Sequence, residues 1–218
     1  MGPHEKHEMA VQIPEVVIMR LPLYARALAD LEEENKEVVN SQELAARLQV
    51  TPAQIRKDLS YFGRFGKQGR GYNVKHLLGQ LRRILGLDRE WSMALVGVGR
   101  LGRALLHYGA FAAQGFKLVA AFDSDRRQIG TQVYGVAVQS MEELRSTIRE
   151  REVNICIIAV PASRAQEVID MLVQCGIKAI LNYAPIAARV PKGVWVRDID
   201  PVCALQSITF HLKAPGTA

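Results

Sequence analysis

The stretch Ala94-Leu-Val-Gly-Val-Gly-Arg-Leu-Gly102 decides the fold of this chain. Three of its glycines have the spacing G-x-G-x-x-G: Gly97, Gly99 and Gly102. They follow a short apolar run that is typical of a buried parallel strand. Apolar residues at helical spacing continue over 100–114, and a second strand-like run, 117–123, ends on a carboxylate. This order predicts a βαβ unit with a dinucleotide-binding fingerprint.

Each glycine has its own physical role in such a unit. Gly97 permits the tight turn from strand to helix, and Gly102 lets the helix lie close to the sheet. Gly99 lacks a Cβ, so the backbone can approach a pyrophosphate. The free N–H groups and the positive end of the helix dipole then face the phosphates.

The acidic residue after the second strand, Asp123, indicates which nucleotide binds. A carboxylate accepts hydrogen bonds from the ribose hydroxyls and repels a 2′-phosphate, which favours NAD(H) over NADP(H). Arg126 and Arg127 weaken this preference slightly. Ligands bind at the carboxyl ends of parallel strands. The predicted cofactor contacts are therefore Gly97, Val98, Gly99, Arg100, Leu101, Gly102, Asp123, Val160, Pro161, Asn182, Ala184 and Pro185.

Length and composition fit two modest globular domains. The chain has 218 residues, of which 49% are hydrophobic and 23% charged. Its apolar runs are strand-sized, and residues 1–13 lack the apolar core of a signal peptide, so we expect a cytoplasmic protein. The three cysteines are widely spaced without a C-x-x-C, which predicts a reducing compartment and no metal site.

The positive charge is concentrated in one segment. Between Ser41 and Leu85 there are nine Lys or Arg residues against only Glu43 and Asp58, within a net charge of +6 for the whole chain. A local basic block of this kind favours nucleic acid as the partner.

Helix signals in this basic segment predict a helix-turn-helix. A first helical pattern begins at Pro14, and Pro22 is expected to mark the start of its regular part. A short helix follows over 41–48, with Ser41 as the N-cap. Thr51-Pro-Ala-Gln54 then starts a second helix that we expect to reach Phe62. Its outer face carries the predicted DNA contacts Gln54, Arg56, Lys57, Ser60 and Tyr61.

A glycine-rich basic stretch over 63–74 follows and predicts a β-hairpin wing. It adds Arg64, Lys67 and Arg70 to the predicted DNA contacts. Another helix is expected over 74–85, and 86–90 is the expected linker. The alternative for this half of the chain is a small helical bundle with a solvated basic face.

After Asp123 the pattern of strands and helices continues, which predicts a Rossmann-type parallel sheet. Strands are expected at 133–138, 153–160, 178–182 and 193–198, with helices at 140–151 and 163–176. A last helix is expected over 201–212. The predicted domains are a disordered leader (1–13), a winged helix-turn-helix domain (14–86), a Rossmann domain (91–200) and the C-terminal helix (201–212).

Four stretches make the chain resemble the Rex family of redox-sensing transcriptional repressors over about 13–212. They are Gln54-Ile-Arg-Lys-Asp-Leu-Ser-Tyr-Phe-Gly63, Gly69-Arg-Gly-Tyr72, Leu95-Val-Gly-Val-Gly-Arg-Leu-Gly102 and Leu181-Asn-Tyr-Ala-Pro185. The resemblance implies a homodimer that binds a palindromic operator when NAD+ predominates and is released by NADH. It also implies that the last helix is exchanged between subunits.

By the same resemblance, Arg56 and Lys57 lie in the recognition helix and Arg70 lies in the wing. Arg26, Tyr108 and Asp200 match positions of the polar switch that responds to NADH. The sequence departs from the family at Pro201, where an aromatic residue can pack near the partner's nicotinamide.

The alternative function is an NAD-dependent dehydrogenase with an accessory N-terminal domain. That enzyme needs a proton donor beside the nicotinamide, and none of the candidates has the position of one: His76, His107, Lys178 and His211. The sequence also has no separate substrate domain. We therefore predict no catalytic residue and no metal site.

Overall fold

The computed structural model describes residues 13–66 and 71–213. The chain divides between Arg89 and Glu90 into two compact units, each with its own core. Within the described ranges, no helix combines the length and the apolar composition that crossing a bilayer requires.

The N-terminal unit is a set of four helices with a small two-stranded sheet. Its elements are α1 (Glu15–Glu33), β1 (Val38–Val39), α2 (Ser41–Leu48), α3 (Pro52–Ser60), β2 (Tyr72–Asn73) and α4 (Val74–Ile84). Leucines from all four helices form one core, and α1 packs along α4. The helices α2 and α3 pack against each other across a tight connection at Gln49, which has φ +53°.

Three boundaries in this unit differ from the sequence prediction. α1 continues through Pro22, which lies on the exposed face between the buried residues Leu21 and Tyr24. Packing of the buried face outweighs the one backbone hydrogen bond that the proline ring removes. Asn40, not Ser41, caps α2, because its side chain accepts from two backbone N–H groups and Glu43 bonds back to it. α3 ends at Ser60 and does not reach Phe62.

The predicted wing is only partly within the described residues. β2 pairs antiparallel with β1, so Val39 lies opposite Tyr72. The prediction that β2 belongs to a local hairpin missed this long-range partner, and the described residues 63–66 contain no strand. Lys67 and Arg70 lie outside the described residues.

The C-terminal unit is a seven-stranded sheet with helices. Its strands are β3 (Trp91–Val96), β4 (Phe116–Asp123), β5 (Gln132–Val133), β6 (Val136–Ser140), β7 (Ile155–Ile158), β8 (Ala179–Asn182) and β9 (Trp195–Asp198). The order β5-β6-β4-β3-β7-β8-β9 is parallel except for the pair β5–β6. The helices are α5 (Arg100–Leu106), α6 (Ala110–Ala113), α7 (Leu144–Glu150), α8 (Ala162–Gln174) and α9 (Pro201–Lys213).

Two elements of this unit differ from their predicted form. The helix expected over 100–114 is divided into α5 and α6, and Gly109 lies in the break, where a glycine weakens helix formation. The strand expected over 133–138 is a hairpin, β5–β6. Its turn residues Tyr134 and Gly135 both have positive φ, as a two-residue type I′ turn requires.

Candidate functional site

The glycine loop joins β3 to α5 with almost no free space around two of its glycines. Gly97 has φ +98°, and a Cβ there would lie 2.6 Å from the carbonyl oxygen of Ala159. A Cβ on Gly102 would overlap the carbonyl oxygen of Gly97. Gly99 is different, because no heavy atom in the described part of the chain lies within 4 Å of its ideal Cβ position. The loop is therefore tightly packed on the protein side and open at Gly99.

Asp123 at the end of β4 fixes the shape of this loop. Its Oδ2 accepts a hydrogen bond of 2.7 Å from the N–H of Val98, and its Oδ1 accepts one of 2.8 Å from the N–H of Asp125. Each carboxylate oxygen can accept a second hydrogen bond. The carboxylate therefore holds two backbone turns together and retains the capacity to bind a hydroxyl.

A cavity of about 480 Å³ opens beside the loop. Its volume lies in the range of small-molecule sites. Six of the predicted cofactor contacts line it: Gly97, Val98, Gly99, Asp123, Val160 and Pro161. The structure thus brings together the carboxyl ends of β3, β4 and β7 around one cavity.

The wall formed by α8 was missed by sequence reasoning. Arg164, Glu167, Val168 and Met171 line the cavity from this helix, and Met141 lines it after β6. Arg164 and Glu167 form an exposed ion pair at 3.1 Å. The only sequence signal for these residues is their helical spacing, which places positions 164, 167, 168 and 171 on one face of α8.

The other predicted cofactor contacts do not line this cavity. Arg100 and Leu101 are exposed at the start of α5. Asn182 is completely buried, and its side chain bonds both the N–H and the C=O of Ala184 and the carboxylate of Asp198. It therefore anchors the turn after β8, where Ala184 is buried and Pro185 is exposed.

The three predicted switch residues have separate local environments. Arg26 is exposed on α1. Tyr108 is 57% exposed and packs edge-on against Phe111, with ring centroids 5.0 Å apart. Asp200 accepts from the thiol of Cys203 and from the N–H of Val202 at the start of α9, and these bonds lower its pKa.

The helix α3 is positioned by its cap, by a hydrogen bond to α2 and by hydrogen bonds to α1. Thr51 accepts from the N–H of Gln54, as its sequence predicted, and Ile55 and Leu59 are buried. On the outer face, Arg56 donates to the hydroxyl of Ser41 at 2.9 Å. The other exposed predicted contacts are Lys57, Ser60 and Arg64, and Tyr61 is half-buried.

Gln54 does not share this outer face. Its side-chain amide donates to Oδ1 of Asp58 at 2.6 Å, and Asp58 is completely buried. Arg20 donates to both carboxylate oxygens of Asp58, at 2.6 and 2.9 Å, and the Tyr24 hydroxyl donates at 2.6 Å. We call these four residues the Asp58 cluster; it joins α3 to α1.

The charge state of the Asp58 cluster follows from these bonds. Burial acts to raise the pKa of the Asp58 carboxyl, but hydrogen bonds from Arg20, Tyr24 and Gln54 outweigh burial and hold that pKa below its ordinary value. Burial and the bond to Asp58 raise the pKa of Tyr24, so its phenol remains a donor. Position 58 lies three residues after Ile55, on the inward face, which is the one sequence signal for its burial.

Comparison with known proteins covers both units. A family model described as "Putative DNA-binding protein N-terminus" matches residues 12–60, and one described as "CoA binding domain" matches 88–186. The redox-sensing transcriptional repressor Rex of Roseiflexus sp. (strain RS-1) is 57% identical over 199 residues, which covers 91% of this chain and 90% of that protein. The chain belongs to the Rex family. The Rex protein of Chloroflexus aggregans is 53% identical over 94% of this chain and 97% of its own length.

Solved structures of RSP, described as a Rex-family repressor, agree with this family assignment. The crystal structure of RSP in complex with β-NAD+ and operator DNA has a TM-score of 0.88 at 37% identity, and covers 92% of this chain and 93% of its own. RSP in complex with β-NADH has a TM-score of 0.84 at 35% identity, with coverages of 93% and 95%. The resemblance predicted from the motifs is confirmed. Because the relatives are named as repressors, the family assignment favours a regulator over the dehydrogenase alternative.

Proposed function

We propose that this chain is a cytoplasmic transcriptional repressor that senses the ratio of NADH to NAD+. It binds a palindromic operator as a homodimer and leaves the operator when NADH binds the C-terminal unit. One observation carries the proposal: a single chain holds both a capped helix-turn-helix with exposed cations and an open glycine loop beside a cavity. Rex repressors match the chain over nearly their whole length.

The cavity and the glycine loop fit an NAD(H) molecule. The open backbone at Gly99 leaves room for the pyrophosphate, and Asp123 has lone pairs left for the ribose hydroxyls. Arg127 is paired with Asp125 at 2.8 Å, so its charge is locally compensated and offers little to a 2′-phosphate. This pairing supports NAD(H) over NADP(H). The proposal rests on the six predicted contacts that line the cavity: Gly97, Val98, Gly99, Asp123, Val160 and Pro161. The other six, Arg100, Leu101, Gly102, Asn182, Ala184 and Pro185, stay predictions from the sequence.

The proposed DNA contacts lie on the outer face of α3 and in the segment after it. Arg56 and Lys57 are exposed on α3, which suits phosphates and base edges of a major groove. We leave Gln54 out of the base-reading set, because its amide is bonded to Asp58. The remaining proposed contacts are Ser60, Tyr61, Arg64, Lys67 and Arg70.

The C-terminal helix supports the proposed homodimer. In the isolated chain, α9 exposes apolar side chains along its length: Val202, Leu205, Ile208, Phe210 and Leu212. Exposed apolar side chains gathered on one helix mark an interaction site. We propose that a second copy covers this surface and that Asp200, at the start of α9, exchanges partners between Arg26 and Tyr108 with nucleotide state.

Operator binding titrated with each nucleotide tests the proposed function. A labelled operator duplex is first selected from a random pool by the protein with NAD+ present, and fluorescence anisotropy then measures its release. We expect micromolar or lower NADH to release the duplex, whereas NAD+ at the same concentration leaves it bound. Equal release by the two nucleotides, or failure to select any duplex, would refute the proposal.

A further inference from the structure

The outer face of α4 carries a cationic stripe that the proposed DNA contacts do not include. Its members share one side of the helix by their spacing: Lys75, His76, Gly79, Arg82 and Arg83. The opposite side of α4 is buried in the core of the N-terminal unit through Val74, Leu77, Leu78 and Leu81. The stripe is therefore fixed in orientation by the packing beneath it.

The charges of the stripe are not compensated within the described part of the chain. Lys75, Arg82 and Arg83 are exposed, and none of them forms an ion pair with a described residue. The sequence has no Asp or Glu between Leu59 and Leu87. By contrast, Lys36 and Arg47 of the same unit are each paired with a glutamate, at 2.9 and 2.6 Å. Arg82 and Arg83 lie in the last turn of α4, where the helix dipole favours cations, and their charges remain available to an external anion.

Gly79 makes the centre of this stripe flat. A glycine inside a helix is about 1 kcal/mol less favourable than alanine. Packing does not require it here, because no heavy atom of the described residues lies within 4 Å of its ideal Cβ position. A bare backbone between the cations permits close approach by a large polyanion.

The stripe begins where the wing segment ends. Asn73 is the last residue of β2, and its side chain also caps α4 by accepting from the N–H of His76. The stripe extends about 12 Å from Lys75 to Arg83 at the helical rise of about 1.5 Å per residue. That length spans about three phosphates of one DNA strand at about 3.4 Å each.

We propose that this stripe on α4 binds the phosphate backbone of the duplex next to the part contacted by the wing. The inference rests on the proposed function and extends it: the stripe adds affinity without reading sequence. Its contacts are electrostatic, so they release counterions from the DNA and make binding more dependent on salt.

The first test neutralises the two arginines. The double variant Arg82→Gln/Arg83→Gln removes two charges and keeps good helix formers. Its matched control, Arg145→Gln/Arg149→Gln, changes the net charge equally at exposed positions of α7 in the other unit. Affinity for the operator and for a random duplex of equal length is measured by anisotropy from about 50 to about 200 mM salt.

We expect the slope of log affinity against log salt to fall in magnitude by about 0.9 for each phosphate that is no longer neutralised, or by about two per subunit. The ratio of affinities at about 50 and about 200 mM salt then shrinks about twelvefold per subunit. The operator and the random duplex should show the same reduction in salt dependence, and the control variant should match the unsubstituted protein.

A second pair of variants tests the centre of the stripe. Gly79→Glu places a carboxylate between the cations, and Gly79→Gln places a neutral side chain of the same size in the same open space. We expect Gly79→Glu to reduce the affinity for both duplexes several-fold more than Gly79→Gln does. Circular dichroism should show both variants folded, since nothing in the described part of the chain obstructs the new side chain.

The outcomes separate this inference from the proposed function. If Arg82→Gln/Arg83→Gln binds the operator with an unchanged salt slope, phosphate binding by the stripe is refuted. The proposed repressor function is then unaffected. If no operator is selected, the proposed function fails, and the random duplex still tests the stripe. A change of molar mass by light scattering in the double variant would show that a second copy of the chain occupies the stripe, which also overturns the inference.

Discussion

Replacement of Asp58 by alanine should destabilise the N-terminal unit far more than the loss of an exposed acidic residue. The carboxylate is completely buried and accepts four hydrogen bonds from Arg20, Tyr24 and Gln54. Removing one partner of a buried pair costs about 3–5 kcal/mol, because the other charge remains without compensation. The side chain of Arg20 is 20% exposed and can regain some water, so we expect about 3 kcal/mol, at the lower end of that range.

The matched control lies in the same unit. Arg47 and Glu34 form a two-bond pair of similar geometry, at 2.9 and 2.6 Å, but both side chains are exposed. An exposed pair contributes little to stability, so Glu34→Ala should change the free energy of unfolding only slightly. Urea unfolding followed by circular dichroism gives the free energy of unfolding of each variant. If Asp58→Ala costs no more than Glu34→Ala, the stabilising role of the Asp58 cluster is refuted.

Lowering the pH should reproduce the destabilisation expected for Asp58→Ala, because protonation removes the charge of the same carboxylate. The folded pKa of Asp58 lies below its unfolded value of about 3.9. A group with a lowered pKa stabilises the fold above the unfolded pKa, and this contribution is lost as pH falls through the folded pKa. We therefore expect the difference in unfolding free energy between the unsubstituted protein and Asp58→Asn to be constant above about pH 5 and to shrink below about pH 4.

Four further predictions concern binding. Lys57→Ala should weaken operator affinity by about 1–3 kcal/mol if it contacts a base edge, and unchanged affinity in a mobility shift would remove it from the interface. Gly99→Val should fold and bind operator, since its side chain meets none of the described residues, but its operator complex should respond little to NADH; normal release would show that the nucleotide binds elsewhere. Asp123→Ala should weaken the binding of NADH, measured by calorimetry, and relax discrimination against NADPH. An unchanged preference for NADH over NADPH would mean that another residue binds the ribose. Asp200→Ala should retain NADH affinity within a few-fold while release needs more NADH; release at the parent's concentration would show that the switch does not depend on Asp200.

The features that the sequence predicted well depend on local chemistry. The glycine turn between β3 and α5 needs only the steric demands of its own residues, so Gly97 and Gly102 could be interpreted from spacing alone. The Thr51 cap of α3 likewise depends on the three residues that follow it. By contrast, the partner of β2 is β1, far earlier in the chain, and a two-residue strand carries no periodic pattern that would identify it.

The parts of the site that sequence reasoning missed depend on tertiary packing. Asp58 is a charged residue in a basic segment, so its composition suggests a solvated side chain, whereas its three donors come from α1 and from one turn earlier in α3. The wall that α8 contributes to the cavity shows the same difficulty. Helical spacing places Arg164 and Met171 on one face, but only the packing of α8 on the sheet decides that this face meets the glycine loop.

The bond between Arg56 and Ser41 has a consequence for the entropy of DNA binding. It uses a single N–H of a guanidinium that has about five, so the side chain is already restricted while most of its donors stay available. Ordering a long side chain at an interface costs about 0.5–1.5 kcal/mol, and for Arg56 part of that ordering has occurred in the free protein. In the proposed interface the two neighbouring cations of α3 are thus unequal: Arg56 is preorganised for a directional contact, whereas Lys57 would lose its full rotational freedom on binding.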